Sequence, residues 1–190
     1  MQSFLDLIPQ GKLSDEAYHA LASRIITRRV AKGEILLRKG DKMRKHYFVK
    51  SGLLRSYTLD DNGKEHIFMF APEGWIISDI GWQVPGKEAD LYIDAVESSE
   101  VEVVEDGLIS PTDQPSEEAI QRLTNRIYVL QKRIILLMSA SLRERYLDFL
   151  ATYPAIAQRV PQKMIASYLG VTPEALSKIR GDLTKQDRHQ

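Results

Sequence analysis

The stretch Lys163–Arg180, KMIASYLGVTPEALSKIR, reads as two short helices joined by a tight turn. Met164, Ile165 and Leu169 recur at helical spacing and form one apolar face, and Ala166 is small enough to let a second helix pack close. Gly170 follows the last apolar residue, where a helix exit through positive φ favours glycine. Val171 plugs the corner, Thr172 suits an N-cap, and Pro173 stands at the first helical position, where its missing N–H costs nothing. Leu176 and Ile179 return to the core, while Glu174, Ser177, Lys178 and Arg180 point outward. An ordinary helical hairpin shares any few of these features. Here Ala166, Gly170, Val171, Leu176 and Ile179 fall at offsets 0, 4, 5, 10 and 13, with a Thr-Pro cap between them. That combination favours a helix-turn-helix whose second helix enters a DNA major groove.

Upstream lies a longer helix. Ile120, Leu123, Ile127, Leu130, Ile134 and Leu137 are spaced 3, 4, 3, 4, 3, an a/d seam with Arg and Gln on the other faces. A helix lying across its own core shows a wider stripe, and Ile135, Leu136 and Met138 widen this one only towards its end. The narrow first half therefore favours a homodimeric coiled coil, with a second packed surface near the C-terminal turn. From Ser141 an amphipathic segment (Leu142, Tyr146, Phe149, Leu150, Tyr153) runs to Pro154, which breaks it; this is the expected support beneath the reading pair. Pro111–Ser116 is polar with two prolines and reads as the domain boundary, with Ser116 capping the long helix.

The N-terminal half has a different texture. Ser14 caps a short helix carrying Asp15, Glu16, Ala17, Leu21 and Ile25. Short aliphatic and aromatic runs follow: Glu34–Arg38, His46–Lys50, Leu53–Leu59, Glu65–Phe70, Trp75–Ile80, Leu91–Val96 and Val101–Val104. Asn62-Gly63 between two of them predicts a hairpin with a tight primed turn, positive in φ at both positions. Val101 and Val103 alternate with Glu100, Glu102 and Glu105, the pattern of a half-buried strand. About eight short strands at this spacing predict an antiparallel roll or barrel.

Composition sets outer bounds. The 190 residues, 43% hydrophobic, suffice for one large or two small domains, and 26 basic residues balance 26 acidic ones. Residues 159–190 hold six Lys/Arg against three Asp/Glu, and residues 1–158 hold twenty against twenty-three. A modestly basic tail on a slightly acidic body suits a DNA module attached to another domain, although solvated surface charge explains it equally well. The absence of cysteine excludes disulfides, thiolate-ligated iron–sulfur clusters and thiol redox sensing. MQSFLDLIPQ has neither a basic n-region nor a long apolar stretch, and no segment is apolar for the length of a bilayer, so a cytoplasmic protein without membrane contact is expected.

A roll, a dimer helix and a C-terminal helix-turn-helix, in this order, resemble the Crp/Fnr superfamily of bacterial transcription regulators. The likeness covers nearly the whole chain. IASYLGVTPEALSKIR is its most specific piece, followed by GEILLRKGD, YFVKSGLLR and the Asn-Gly hairpin. The resemblance implies an α+β chain of two domains: a β-roll sensor over 1–113 (jelly-roll-like and antiparallel), a dimerisation helix over 114–140, and an all-α helix-turn-helix domain over 141–190. It also implies a homodimer on a two-fold-symmetric operator in double-stranded DNA, with RNA polymerase and a small-molecule effector as further partners. No catalytic residue, metal or cofactor is expected. A change in the roll would shift the coiled helix and reset the spacing of the two reading heads.

The resemblance also assigns roles. Glu174 matches the glutamate that accepts from a cytosine amino group. Its plainer role is an acid at a helix N-terminus. Lys178 stands where many members carry arginine, and Pro173 where many place a guanine-reading arginine, so a different operator is expected. Ser177 and Arg180 are secondary contacts, Thr172 opens the reading helix, and Gln162 and Lys163 are backbone clamps. The sequence ends a few residues later, so no β-wing is expected.

The effector pocket departs from the pattern. Cyclic-nucleotide-binding members carry a Gly-Glu pair for the ribose and an Arg-Ser/Thr pair for the cyclic phosphate; here Ile77-Ser78 and Lys87-Glu88-Ala89 stand in those places. Glu88 would repel a phosphate, and Lys87 alone cannot restore an amide cradle, so cyclic AMP and GMP are not expected. His19, His46, His66 and His189 are scattered, which argues against haem. Trp75, Trp82, Phe68 and Phe70 are candidates for an apolar pocket, with core packing the plainer role. Two rival classes stay open on residues alone. A cupin-like metal enzyme needs converging histidines and lacks a His-x-His pair here. A dimeric interaction module would turn the helix-turn-helix towards protein.

Overall fold

The computed structural model describes residues 3–8, 14–42, 45–81, 87–105 and 117–187. The boundary Pro111–Ser116 with its Ser116 cap, Trp82 and His189 lie outside the described residues. The chain divides into two compact units, Met1–Gln114 and Pro115–Gln190.

The first unit opens with a single 3-10 turn, Phe4–Leu7, and the helix α1, Asp15–Ala22, whose N-cap Ser14 accepts from the Ala17 N–H. Ile25 lies beyond α1. Eight strands follow: β1 Ile26–Val30, β2 Ile35–Leu37, β3 Lys45–Ser51, β4 Leu54–Leu59, β5 Glu65–Ala71, β6 Ile76–Ile77, β7 Tyr92–Ala95 and β8 Ser99–Glu105. They form two four-stranded antiparallel sheets, β1-β8-β3-β6 and β2-β7-β4-β5. This order pairs the first strands with the last ones, which winds the chain as a jelly roll. Every strand contributes to the core between the sheets, through Val30, Leu37, Val49, Leu54, Ala71, Ile77, Ile93 and Val101 among others.

Two local expectations need correction, and one strand was not expected. The Asn-Gly hairpin between β4 and β5 is not a two-residue primed turn, because Asn62 keeps negative φ and only Gly63 is positive, at 75°. The Asp60 side chain accepts from the Asn62 and Lys64 N–H groups, and Gly63 N–H bonds the Asp60 carbonyl. A longer loop closed by one left-handed glycine results. Strand β8 is not half-buried either. Glu102 is enclosed because the Phe4 N–H donates to it at 2.7 Å and the Ser3 hydroxyl at 3.0 Å. The N-terminal turn covers the face that alternation would leave to water. Finally, β1 was absent from the expected strands; its sequence ITRRV buries only Val30.

The second unit is all helix. Its elements are α2 Glu117–Ser139, α3 Leu142–Thr152, α4 Pro154–Arg159, α5 Gln162–Tyr168 and α6 Pro173–Asp187. Ser141 caps α3 in a reciprocal box with Glu144. Pro154 does more than break α3: it occupies the first turn of α4, where its ring is tolerated. Tyr146, Phe149, Ile156, Val160, Ile165, Ala166, Leu169 and Leu176 are buried, and the Phe149 ring meets that of Tyr168 at 5.2 Å.

Candidate nucleic-acid interface

The turn between α5 and α6 is fixed by its own backbone. Gly170 adopts φ 69°, the Val171 N–H bonds the Ala166 carbonyl at 3.0 Å, and the Gly170 N–H bonds Ser167 at 3.2 Å. That pair of bonds closes a helix through a left-handed residue. Helix α6 then starts at once, with the Thr172 hydroxyl accepting from the Ala175 N–H at 3.3 Å. Leu176 is fully buried against the first helix, and Ala166 is buried opposite. Small residues at this crossing let the helices approach and leave the other side of α6 in solvent.

Gln162 and Lys163 are exposed at the start of α5, and Thr172, Pro173, Glu174, Ser177, Lys178 and Arg180 are exposed along α6. Helical spacing sets Glu174, Ser177 and Lys178 on one strip and Pro173, Ser177 and Arg180 on its neighbour. The α6 helix continues to Asp187, beyond the end that the sequence pattern suggested. Glu174 has a local tie. Its carboxyl accepts from its own N–H and from the Thr172 hydroxyl, and these bonds hold it below the usual glutamate range. It is therefore ionised and acceptor-only at neutral pH, the state that a cytosine amino group requires.

On α2, Ile120, Leu123, Ile127 and Ile134 are 50 to 59% exposed, Leu137 is 41% exposed, and Leu130 is half-buried. A periodic apolar strip of this length is left in water by its own unit. The C-terminal half of α2 is tied to the reading pair. Arg133 donates to the Tyr168 carbonyl at 2.9 Å and stacks over the Tyr168 ring at 4.0 Å; Arg145 of α3 donates to the Leu169 carbonyl at 2.8 Å. Two guanidinium groups thus satisfy the terminal carbonyls of α5, where the helix dipole favours positive charge. Lys132 of α2 also donates to Asp148 of α3. Sequence reasoning missed Arg133 and Arg145 because their partners are main-chain atoms of a helix 24 to 35 residues away.

Ile77 is buried between the sheets, Ala89 is buried with it, and Lys87 and Glu88 are exposed, with Lys42 3.6 Å from Glu88. Of the described aromatic candidates, Phe70 is buried, whereas Phe68 and Trp75 are 38 and 40% exposed. His66 bonds Asp60 at 2.9 Å on the hairpin surface, and His19 packs its ring edge-on against Tyr18. Among the described residues, no group of three His, Cys, Asp or Glu side chains is placed to hold a metal.

Comparison with known proteins adds to this geometry. The family model of the cyclic nucleotide-binding domain matches residues 27–107. The chain is 28% identical over 175 residues to the fumarate and nitrate reduction regulatory protein of Vibrio cholerae, covering 83% of this chain and 68% of that one. It is 26% identical to the regulatory protein HlyX of Actinobacillus pleuropneumoniae, over 82% of this chain and 70% of the relative. In fold it resembles the c-di-GMP-responsive global regulator CLP of Xanthomonas campestris, with a TM-score of 0.71 at 14% identity over 92 and 93% of the two chains. FixK2 of Bradyrhizobium japonicum gives 0.71 at 19% identity over 86% of each chain.

Proposed function

We propose that the chain is a DNA-binding transcription regulator of Crp/Fnr type and that it reads a two-fold-symmetric operator as a homodimer, paired through the α2 seam. The observation that carries this reading is the exposed strip of α6, from Thr172 to Arg180, aimed outward by the Gly170 turn and the buried Leu176. Gln162 and Lys163 grip phosphates at the opening of α5. Glu174, with Lys178, reads base edges. Thr172, Pro173, Ser177 and Arg180 shape the remaining contact.

The division of labour follows the three segments: residues 1–113 as the sensing roll, 114–140 as the pairing helix and 141–190 as the reading head. Ile120, Leu123, Ile127, Leu130, Ile134 and Leu137 form the seam between protomers. Because α2 and α3 hold the carbonyl end of α5 through Arg133 and Arg145, the pairing helix sets the position of each reading head. We assign neither cyclic AMP nor cyclic GMP as effector, since Ile77 fills the place of a cradle glycine and no arginine stands at residues 87–89. The relatives are regulators and carry no catalytic expectation. Among the described residues no helix is long and apolar enough to cross a membrane; the cytoplasm is the proposed place of action, with RNA polymerase as a further partner.

The test is duplex binding at increasing salt. A groove reader that contacts phosphates through Lys163 and Arg180 loses affinity steeply and log-linearly as salt rises. Affinity for no duplex at low salt, with capture of protein partners instead, would favour the interaction-module reading.

A further inference from the structure

Within the helical unit, α2, α3 and the end of α5 line a cavity of about 140 Å³ that the exposed strip of α6 does not touch. One wall is aromatic. The Phe149 ring lies 5.2 Å from Tyr168 and 5.7 Å from Tyr153, and the last two meet edge-on at 6.1 Å. The lining also carries three cations, Lys132, Arg133 and Arg145, against one carboxylate, Asp148. Lys132 donates to Asp148 and cancels it, which leaves two guanidinium groups as excess positive charge. Arg133 is engaged with the Tyr168 carbonyl and ring. Arg145 is only partly engaged. Its terminal nitrogen donates to the Leu169 carbonyl at 2.8 Å, while its Nε is buried without a hydrogen-bond partner among the described residues. A buried donor without an acceptor keeps its whole desolvation cost, and folded proteins rarely leave one so. Tyr128 and Val129, exposed on α2, mark the open side of the cavity.

These features select an occupant. The rings favour a flat apolar body, and the surplus guanidinium charge favours a carboxylate. A cavity of about 150 Å³ accepts a benzene-sized ring, so a single ring fits here. We propose that this cavity binds a small monocyclic aromatic carboxylate, with its ring against Phe149, Tyr153 and Tyr168 and its carboxylate accepting from Arg145 Nε. Arg145 also holds the carbonyl end of α5, so an occupant tightens the junction of α2, α3 and α5. Binding here does not depend on what α6 reads.

Calorimetric titration of the full chain with sodium benzoate should show saturable binding, one molecule per chain, with a dissociation constant on the order of 1 mM or below. Benzamide keeps the ring without the charge and should bind at least about tenfold more weakly. Acetate keeps the charge without the ring and should not saturate. Arg145→Gln should weaken benzoate by a similar factor. Val129→Trp, off the apolar seam of α2, should fill the cavity and abolish binding, with folding checked by circular dichroism. Should Arg145→Gln fail to fold, Val129→Trp decides alone. Loss of benzoate binding in either folded variant supports the proposal. No saturable benzoate binding marks a cavity that holds only water, and overturns it. Unchanged binding in every folded variant, or benzamide or acetate binding as tightly as benzoate, would overturn it as well.

Discussion

Arg133 meets Tyr168 twice, donating to its carbonyl at 2.9 Å and lying 4.0 Å above its ring. One residue of α2 thereby caps α5, the helix that packs against α6. Burial pulls the Arg133 guanidinium below the usual arginine value without discharging it, and the same burial raises the Tyr168 hydroxyl. Arg133→Met should remove the capping bond and the stacking together, with a loss of about 2 kcal/mol in urea unfolding of the full chain. Arg133→Lys should recover little of it, because an ammonium cannot stack and fork at once. Full recovery with lysine would mean that charge alone matters here.

Gly170 supplies the second prediction. A Cβ added there would meet Leu137 Cδ2 at 3.7 Å, an ordinary contact, so space is not the obstacle. The positive φ is. Gly170→Ala should cost about 1 kcal/mol, and Gly170→Val more, since a branched side chain tolerates the left-handed region least. Urea midpoints at unchanged m-value check this.

Acid should expose the cap of α3. The Glu144 carboxyl accepts from the Ser141 hydroxyl and N–H, which holds it below the ordinary glutamate range. A carboxyl depressed in the folded state contributes fully above its unfolded value and loses that contribution as pH falls through the folded one. The stability gap between wild type and Glu144→Gln should therefore be constant near neutrality and shrink below about pH 4.5. A gap that widens on acidification would contradict the assigned cap.

Such cases show what a sequence can disclose. Gly170 and Thr172 act on neighbours within a few positions, so their roles are legible in composition and spacing. The strands were legible where apolar residues run together. Strand β1 was not, because Arg28 and Arg29 stand in a strand that buries Val30 alone. Glu102 looked like a solvated residue of an alternating strand, and its partners, Ser3 and Phe4, lie almost a hundred positions away. Arg133 and Arg145 bond to main-chain atoms, which leave no mark in residue identity. Asn62-Gly63 was misread for a nearer reason: the Asp60 side chain competes for the turn amides and imposes a longer loop.

On the reading strip, Glu174 and Lys163 should separate specificity from grip. Glu174→Ala should relax base preference at one position per half-site, by about 1–3 kcal/mol of discrimination. Lys163→Ala should weaken all duplexes alike and flatten the salt dependence. Since the local bonds keep Glu174 ionised, base preference should not change between about pH 5.5 and 8. Competition binding against single-base operator variants reads both effects, and equal losses across all bases for both substitutions would contradict the roles.

The seam is checked by one charge. Leu123→Asp places a carboxylate on the α2 strip, where it would face its own copy across a two-fold axis. Sedimentation should report a dimer for wild type and a monomer for the variant, with affinity for a symmetric duplex lowered on the order of a hundredfold or more. A variant that stays dimeric would move the interface elsewhere.

The central claim, a paired head on a zippered helix, is tested most directly by selecting bound duplexes from a random pool with the full-length protein and sequencing them. The account predicts a two-fold-symmetric consensus whose half-sites are about one helical turn, or about 10 base pairs, apart. Enrichment of a single unpaired half-site, or of no sequence, would contradict it.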